Sequence, residues 1–231
     1  MSEIEKDLGN TSGDYLHSIA KAGLAAIPII GGGASELFSL LIAPPLSKRR
    51  DAWLIRLAEG IDELRETISE FQIESLIDNE IFVTTVLQAT QAALRNHHEE
   101  KLTALRNAVL NSAVGIDIDE SIQLMFLNLV DSMTPWHLRV LLLFQNPEKW
   151  FEDNQRQAPQ FSMGSPKGVL ESAFNELNGK RSFYDILVKD LNTQGLLGID
   201  SLHTMMTGSG AMAPRTTDFG NLFISYITPP Y

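Results

Sequence analysis

The chain has 231 residues, of which 44% are apolar and 20% charged, and its formal net charge is −11. This composition is typical of a folded globular protein with one large or two small domains, and the acidic charge disfavours nucleic acid as a partner because that affinity comes mainly from cationic side chains. Cysteine is absent, which excludes disulfide bonds, thiolate metal sites and cysteine nucleophiles.

The acidic charge is concentrated in the first part of the chain. Residues 1–133 hold ten Lys and Arg against twenty Asp and Glu, whereas residues 134–231 hold eight against nine. Residues 1–18 are polar and mixed in charge, without the basic and apolar regions of a secretory signal. The sequence therefore predicts a cytoplasmic protein, with the periphery of the inner membrane as an alternative location.

The first distinctive segment is AGLAAIPIIGGGASELFSLLIA, residues 22–43. Its length suits a membrane span, but the glycines, the proline and the glutamate would each weaken a helix in a bilayer. We predict instead that residues 31–33 turn the chain between two short apolar helices, 24–30 and 35–42, which pack as a hairpin against a helical bundle. In the alternative, this hairpin enters a membrane. The residues assigned to the segment are Ile30, Gly31, Gly32, Gly33, Glu36, Phe38, Leu40 and Leu41.

The next part of the chain, up to residue 133, is predicted to be helical. Apolar residues at spacings of three and four predict an amphipathic helix over residues 53–71. Asp78 is the expected cap of a following helical pattern that extends to residue 109, either as one long helix or as two nearly collinear helices. The stretch GIDIDES interrupts the pattern, and another helix is predicted to follow it.

The pattern changes at Thr134, a capping residue that is followed by a proline at the first helical position. We predict a helix that ends near Pro147, then a loop or linker, and then a short helix over residues 168–177. A further helix is predicted to be capped by Ser182 with Asp185 and to end at Gly195. Two short extended runs around the glycine stretch GSG predict a β-hairpin, and DFGNLFISYI predicts a closing helix.

The pattern LVKDLNTQGLL, followed by the hairpin and TTDFGNLFISYI, resembles winged-helix domains over residues 134–228. In such domains a helix that ends in a glycine turn leads into the wing, and a Thr-x-x-Gly-containing helix follows. The whole chain also resembles a group of uncharacterised bacterial proteins that share the apolar N-terminal segment, the TPWHLR region and this ending. The resemblance implies a mainly α fold, with a helical bundle over residues 1–133 and a winged-helix-like domain with one small β-hairpin over residues 134–231.

The sequence motifs indicate no catalytic chemistry. The stretch GGGAS lacks the Gly-Lys-Ser/Thr of a phosphate loop, and GSPKG lacks the G-x-S-x-G pattern of a nucleophile elbow. His97, His98, Glu99 and Glu100 are adjacent, unlike the i, i+4 histidines of H-E-x-x-H, and we interpret them as a solvated helix end. His137 is interpreted as a packing or capping residue. We therefore predict a protein that is not an enzyme and that uses no cofactor or metal.

The predicted contact residues lie in the C-terminal part of the chain: Lys180, Arg181, Tyr184 and Lys189 on the second helix of the motif, and Arg215 on the wing. Acidic residues interrupt this basic set, so we favour contact with a protein over contact with DNA. The leading hypothesis is a bacterial interaction or regulatory protein that binds a protein partner through its winged-helix-like domain. The alternatives are a membrane-acting stress or phage-defence effector that uses residues 22–43, a DNA-binding transcriptional regulator and a homo-oligomer.

Overall fold

The computed structural model describes residues 33–160 and 162–230. Within these ranges the protein is mainly helical with one small antiparallel two-stranded sheet, which confirms the predicted fold class in this general form. The chain divides into two compact units, Met1–Ser47 and Lys48–Tyr231. The tertiary contacts described below all lie within the second unit. The predicted domain boundary between residues 133 and 134 stays a prediction.

The first helix, α1 (Gly33–Thr67), is longer than predicted. The prediction that a short helix ends at residue 42 is wrong, because α1 continues through Pro44 and Pro45 into the predicted amphipathic helix. Proline has no backbone N–H, so the carbonyls of Leu40 and Leu41 lack their usual helical donors.

The predicted glycine hairpin lies mostly outside the described residues. Ile30, Gly31 and Gly32 are in that part of the chain, whereas Gly33 begins α1 and Glu36, Phe38, Leu40 and Leu41 belong to its first turns. Among the described helices, none combines the length and the apolar composition that crossing a membrane requires. The hairpin and its membrane role stay predictions.

Helices α2 (Glu80–Arg95) and α3 (Glu99–Ala113) lie side by side as a helical hairpin. The prediction of one long helix or two collinear helices is wrong, because residues 96–98 leave the helical conformation and the chain folds back. The cap of α2 is Asn79, one residue after the predicted Asp78, and its side chain accepts a hydrogen bond from Phe82 N (3.0 Å). The buried alanines of the two helices are Ala89, Ala92 and Ala93 on α2, and Ala104 and Ala108 on α3.

Capping side chains also set the starts of the next three helices, α4 (Glu120–Ser132), α5 (Pro135–Gln145) and α6 (Pro147–Asp153). The first two agree with the predicted elements. The third replaces the beginning of the predicted loop, because Asn146 accepts a hydrogen bond from Lys149 N (3.1 Å) and a proline occupies the first helical position.

The remaining elements are β1 (Met163–Gly164), α7 (Pro166–Ala173), α8 (Arg181–Thr193), β2 (Met206–Thr207), α9 (Gly208–Ala211) and α10 (Asp218–Ile227). Short 3₁₀ helices span Ile73–Leu76 and Asn175–Leu177.

The predicted hairpin around the glycines is wrong. Strand β2 pairs instead with β1, which lies in the predicted loop, so that Met163 is opposite Thr207 and Gly164 is opposite Met206. The stretch GSG forms the start of α9, because the side chain of Thr207 accepts a hydrogen bond from Gly210 N (3.1 Å).

The start of α8 differs from its prediction, whereas its end agrees. The helix begins at Arg181, so Ser182 lies inside the first turn and does not cap it. Gly195 ends the helix as predicted. Its φ of +74° is in the left-handed region that favours glycine.

The larger of two hydrophobic clusters among the described residues includes residues on both sides of Thr134. Phe126 of α4 packs against the rings of Phe219, Phe223 and Tyr226 of α10, with ring centroids 5.0, 5.2 and 5.7 Å away. Aromatic pairs in tilted and edge-to-face arrangements add to the stabilisation from burial. This cluster holds the C-terminal helix on the helices of the N-terminal half.

Candidate functional site

Helix α8 has one buried face and one exposed face. The buried face consists of Tyr184, Leu187, Val188 and Leu191. On the other side, Phe183 and Ile186 are three residues apart and therefore adjacent on the helix, with 39% and 58% of their area exposed. Exposed basic residues flank this apolar pair. We call the exposed set the α8 surface, which consists of Lys180, Arg181, Phe183, Ile186 and Lys189.

Tyr184 anchors α8 from its buried face. Its side chain is fully buried, and its hydroxyl donates a hydrogen bond to Glu171 Oε1 of α7 (3.2 Å). Burial, with help from the Glu171 carboxylate, raises the pKa of Tyr184 to about 12, so the hydroxyl remains a donor at neutral pH. The prediction that Tyr184 contacts a partner is wrong, because the residue is part of the core.

Phe183 packs against an aromatic cluster. Its ring meets the Trp136 ring edge-on with centroids 6.5 Å apart, and Trp136 meets Phe174 in the same way at 5.4 Å. The guanidinium carbon of Arg139 lies 4.9 Å from the Trp136 ring centroid, a cation–π distance. Phe183 is thus the exposed end of a packed group rather than an isolated side chain.

The acidic residues interleaved on α8 are engaged by neighbouring groups. Asp185 Oδ1 lies 2.7 Å from His203 Nε2, and its other oxygen lies 3.3 Å from Arg181 Nε. Asp190 Oδ2 lies 3.5 Å from His137 Nε2. Arg181 offsets the charge of Asp185, whereas the neutral ring of His137 leaves the charge of Asp190 in place.

Arg215 does not belong to the α8 surface. Its guanidinium donates a hydrogen bond to the carbonyl of Gly210 and lies 3.0 Å from Met206 Sδ, and its backbone N–H donates to Phe144 O (2.7 Å). The side chain therefore joins α9 to β2, and the backbone of Arg215 joins this segment to α5. These internal contacts use Nη2 of Arg215, and its role as a partner contact stays a prediction.

His137 is a buried cap at the start of α5, as predicted. Its Nδ1 accepts a hydrogen bond from Thr134 N (3.1 Å), which leaves Nε2 to carry the proton in the neutral ring. Burial lowers the pKa of His137 below its usual 6.5, and the charge of Lys101 lowers it further, whereas Asp190 raises it. The neutral form of the ring is thus favoured in the folded state.

A His137→Gln substitution is expected to flatten the pH dependence of stability. Below the ordinary value of 6.5, the unfolded chain binds a proton that the folded chain resists, so the free energy of unfolding falls as pH decreases through this window. Glutamine retains the capping-box geometry with Thr134 but does not titrate. Urea unfolding at a series of pH values measures this dependence. Below pH 6.5, the free energy of unfolding should change less steeply with pH in the variant than in the unaltered protein. Parallel curves for the two proteins would contradict this prediction.

The four adjacent residues that were considered for metal binding lie at the junction of α2 and α3. The sequence interpretation placed His97 and His98 on a helix. In the structure they precede α3 and are not helical. Arg56 Nη2 lies 2.7 Å from Glu99 Oε1, and Arg139 Nε donates to Glu100 Oε1 (2.9 Å), which lowers the pKa of Glu100. In the part of the chain that the structure describes, no group of three or more His, Cys, Asp or Glu is placed to hold a metal ion.

The apolar half of the α8 surface was missed in the sequence analysis. Basic residues drew attention to this helix, but Phe183 and Ile186 are ordinary core residue types. The available signal was helical periodicity: once Leu187, Val188 and Leu191 define the buried face, residues 183 and 186 lie largely off it.

Comparison of the chain with protein-family models, with curated proteins and with solved structures finds no significant match. The role of the α8 surface must therefore be inferred from its own chemistry.

Proposed function

We propose that this chain is a non-enzymatic interaction or regulatory protein that binds another protein through the α8 surface. The supporting observation is that Phe183 and Ile186 are exposed together on a helix whose opposite face is firmly packed. Removing apolar surface from water would drive association, and a rigid helix loses little conformational freedom on binding.

The flanking charges indicate the chemistry of the partner. Lys180, Arg181 and Lys189 surround the apolar pair, and Asp185 is paired with Arg181, which leaves the two lysines as the basic groups without a described ion pair. A partner segment with an apolar centre and an acidic rim complements this arrangement. In this proposal the apolar contacts supply affinity and the basic residues supply orientation and on-rate.

The winged-helix-like interpretation of residues 134–231 is part of the same proposal. The order of α5, α7 and α8, followed by a segment that contains strand β2, supports it. An isolated antiparallel bridge joins Leu197 to Thr216, and the chain between these two residues would take the place of the wing.

DNA is a less favoured partner of the α8 surface. The net charge of the chain is −11, and the guanidinium of Arg215 is held by internal contacts. Affinity for a duplex depends on the number of cations that reach phosphates. The membrane-effector alternative concerns residues 22–43 and remains a separate hypothesis.

Photo-cross-linking at Ile186 tests the proposal, with Ile55 as the matched control. Both are isoleucines on helices and both are 58% exposed. A photoreactive residue therefore has the same exposure to solvent at either position. In the cells that naturally produce the protein, we expect a discrete protein adduct from position 186 and none of that mass from position 55. The adduct should weaken when Lys180→Glu and Lys189→Glu are added.

Stability measurements separate lost binding from lost folding. Ile186→Asp and Ile55→Asp both change exposed positions, so each should alter the free energy of unfolding by no more than about 0.5 kcal/mol. A 186-specific adduct that weakens when Lys180→Glu and Lys189→Glu are added, in a protein that is still folded, supports the proposal. Identical adducts from both positions, or none from position 186, would overturn it.

A further inference from the structure

A small cleft lies where α1 meets the junction of α2 and α3. Its volume is about 160 Å³, and an engineered protein cavity of similar size binds benzene. The described residues that line it are Arg49, Ala52, Trp53, Arg56, Ala93, Asn96, His97 and Leu102. Two of these are arginines and none is acidic, although the chain has a net charge of −11. The cleft therefore has room for one small ligand and cations to attract a negative charge.

Two arginines extend from one face of α1 to the junction of α2 and α3. Arg49 and Arg56 are two helical turns apart on α1, and Trp53 lies between them on the same face. Nη1 of Arg49 lies 3.3 Å from Leu94 O near the end of α2, and Nη2 of Arg56 lies 2.7 Å from Glu99 Oε1 at the start of α3. These distances place both guanidinium groups beside the junction that lines the cleft.

The two arginines differ in how their charge is compensated. Glu99 neutralises Arg56, whereas no carboxylate among the described residues forms an ion pair with Arg49. Arg49 is exposed, and its long hydrogen bond to Leu94 O uses one guanidinium N–H and leaves the others for a ligand. A guanidinium binds a carboxylate through two parallel hydrogen bonds. Arg49 therefore supplies the cleft with an uncompensated positive charge of suitable shape for a carboxylate.

Much of the remaining lining is apolar. Trp53 is almost completely buried, and its indole N–H donates a hydrogen bond to Thr90 Oγ1 (2.9 Å). Because this polar atom already has a partner, the indole ring offers apolar surface to the cleft, as do Ala93 and Leu102. An inorganic anion would leave this surface in contact with water, whereas a ligand with an apolar body would cover it.

We propose that this cleft binds a small organic carboxylate. The carboxylate pairs with Arg49, and an apolar body about the size of a benzene ring packs against Trp53, Ala93 and Leu102. The cleft shares no residue with the α8 surface, so either proposal can fail without the other.

Three probe molecules, titrated into the whole chain, separate the contribution of charge from that of shape. Benzoate has both a carboxylate and a benzene ring, benzamide keeps the shape without the charge, and acetate keeps the charge without the ring. NMR shifts of backbone and indole N–H groups at constant ionic strength should map benzoate to Trp53, His97 and Leu102. Benzamide should bind roughly tenfold more weakly because it lacks the charge-assisted hydrogen bonds, and acetate roughly tenfold more weakly because it covers less apolar surface.

Two pairs of matched variants localise the binding. Arg49→Gln should weaken benzoate binding roughly tenfold. Arg50→Gln removes an equal charge from an arginine that pairs with Asp51 and does not line the cleft, so it should leave binding unchanged. Ala52→Phe should obstruct the cleft and abolish binding, whereas Ala58→Phe should not. Both alanines are exposed on α1, but only Ala52 lines the cleft.

Four results would each overturn the proposal. The first two are equal affinities for benzoate and benzamide, and benzoate shifts that map to another part of the chain or do not saturate at millimolar concentrations. The third is an equal effect of the two variants in either pair. The fourth is acetate that binds as tightly as benzoate, because the cleft would then accept any small anion and the apolar body would contribute nothing.

Discussion

Replacement of Gly220 by alanine is expected to lower the free energy of unfolding by about 3 kcal/mol, at the upper end of the usual cost of overpacking. A Cβ atom at this position would lie 2.2 Å from the carbonyl oxygen of Leu196. That oxygen belongs to the backbone of the turn after α8, which cannot rotate aside as a flexible side chain would. Helix α10 would have to move away from the turn.

The same region explains the Thr-x-x-Gly pattern at the start of α10. The Thr217 hydroxyl accepts a hydrogen bond from Gly220 N (2.9 Å) and donates one to Gly195 O (2.5 Å), while Thr217 N donates to Leu196 O (3.1 Å). The helix start is thus bound directly to the turn that ends α8. Only a residue without a side chain allows this close approach.

Thermal unfolding followed by circular dichroism measures the effect of Gly220→Ala. For a chain of this size, a loss of about 3 kcal/mol corresponds to a decrease in Tm of roughly 6–12 °C. Ser225→Ala, at an exposed position on the same helix, is the control and should shift Tm only slightly. Equal Tm values for the two variants would show that the turn and α10 do not pack as described.

The second large effect is expected from Asn111→Asp. This substitution should lower the free energy of unfolding by about 4 kcal/mol at neutral pH, which is within the range for an uncompensated buried charge. Asn111 is buried on α3, and its Nδ2 lies 3.0 Å from Tyr226 O and 2.8 Å from Thr228 O. The last carbonyls of a helix have no partners within the helix, so Asn111 caps α10 from outside. An aspartate has the same shape but cannot donate, and its negative charge would face carbonyl oxygens at the negative end of the helix dipole.

The pH dependence of this variant distinguishes charge from packing. Protonation of the new carboxyl restores an O–H donor, so the destabilisation by Asn111→Asp should diminish as pH falls. Asn111→Ala removes the donor without adding charge and should cost about 2 kcal/mol at every pH. Urea unfolding of both variants at neutral and acidic pH measures this difference. Equal costs that do not change with pH would contradict the capping role of Asn111.

Much of the helical architecture could be predicted from local patterns. The starts of α4 and α5, the end of α8 at Gly195 and the extent of α10 depend on capping side chains, on proline and glycine and on helical periodicity. These signals act over a few residues, because they reflect backbone φ and ψ preferences and hydrogen bonds to nearby amides. Asn146 gave the same kind of signal for α6, but the aromatic and polar stretch after it was interpreted as a loop.

The candidate site could be predicted only in part. Its helix was identified from Lys180, Arg181 and Lys189, all of which are exposed. The rotation of α8 against α7 determines whether Phe183 or Tyr184 faces the solvent. The hydrogen bond from Tyr184 to Glu171 holds Tyr184 on the buried side. Both residue types are equally acceptable in a core.

The amino-acid sequence alone determined a mainly helical chain, the absence of cysteine chemistry, an acidic first half and most of the helix caps, because each of these depends on composition or on residues close together in the chain. Only the tertiary structure decided that β2 pairs with β1, that α2 and α3 fold back on each other, and that Asn111 caps α10. Such contacts join residues of different elements of the structure. Their formation depends on how apolar faces fit together in three dimensions, which local hydrophobic patterns do not specify.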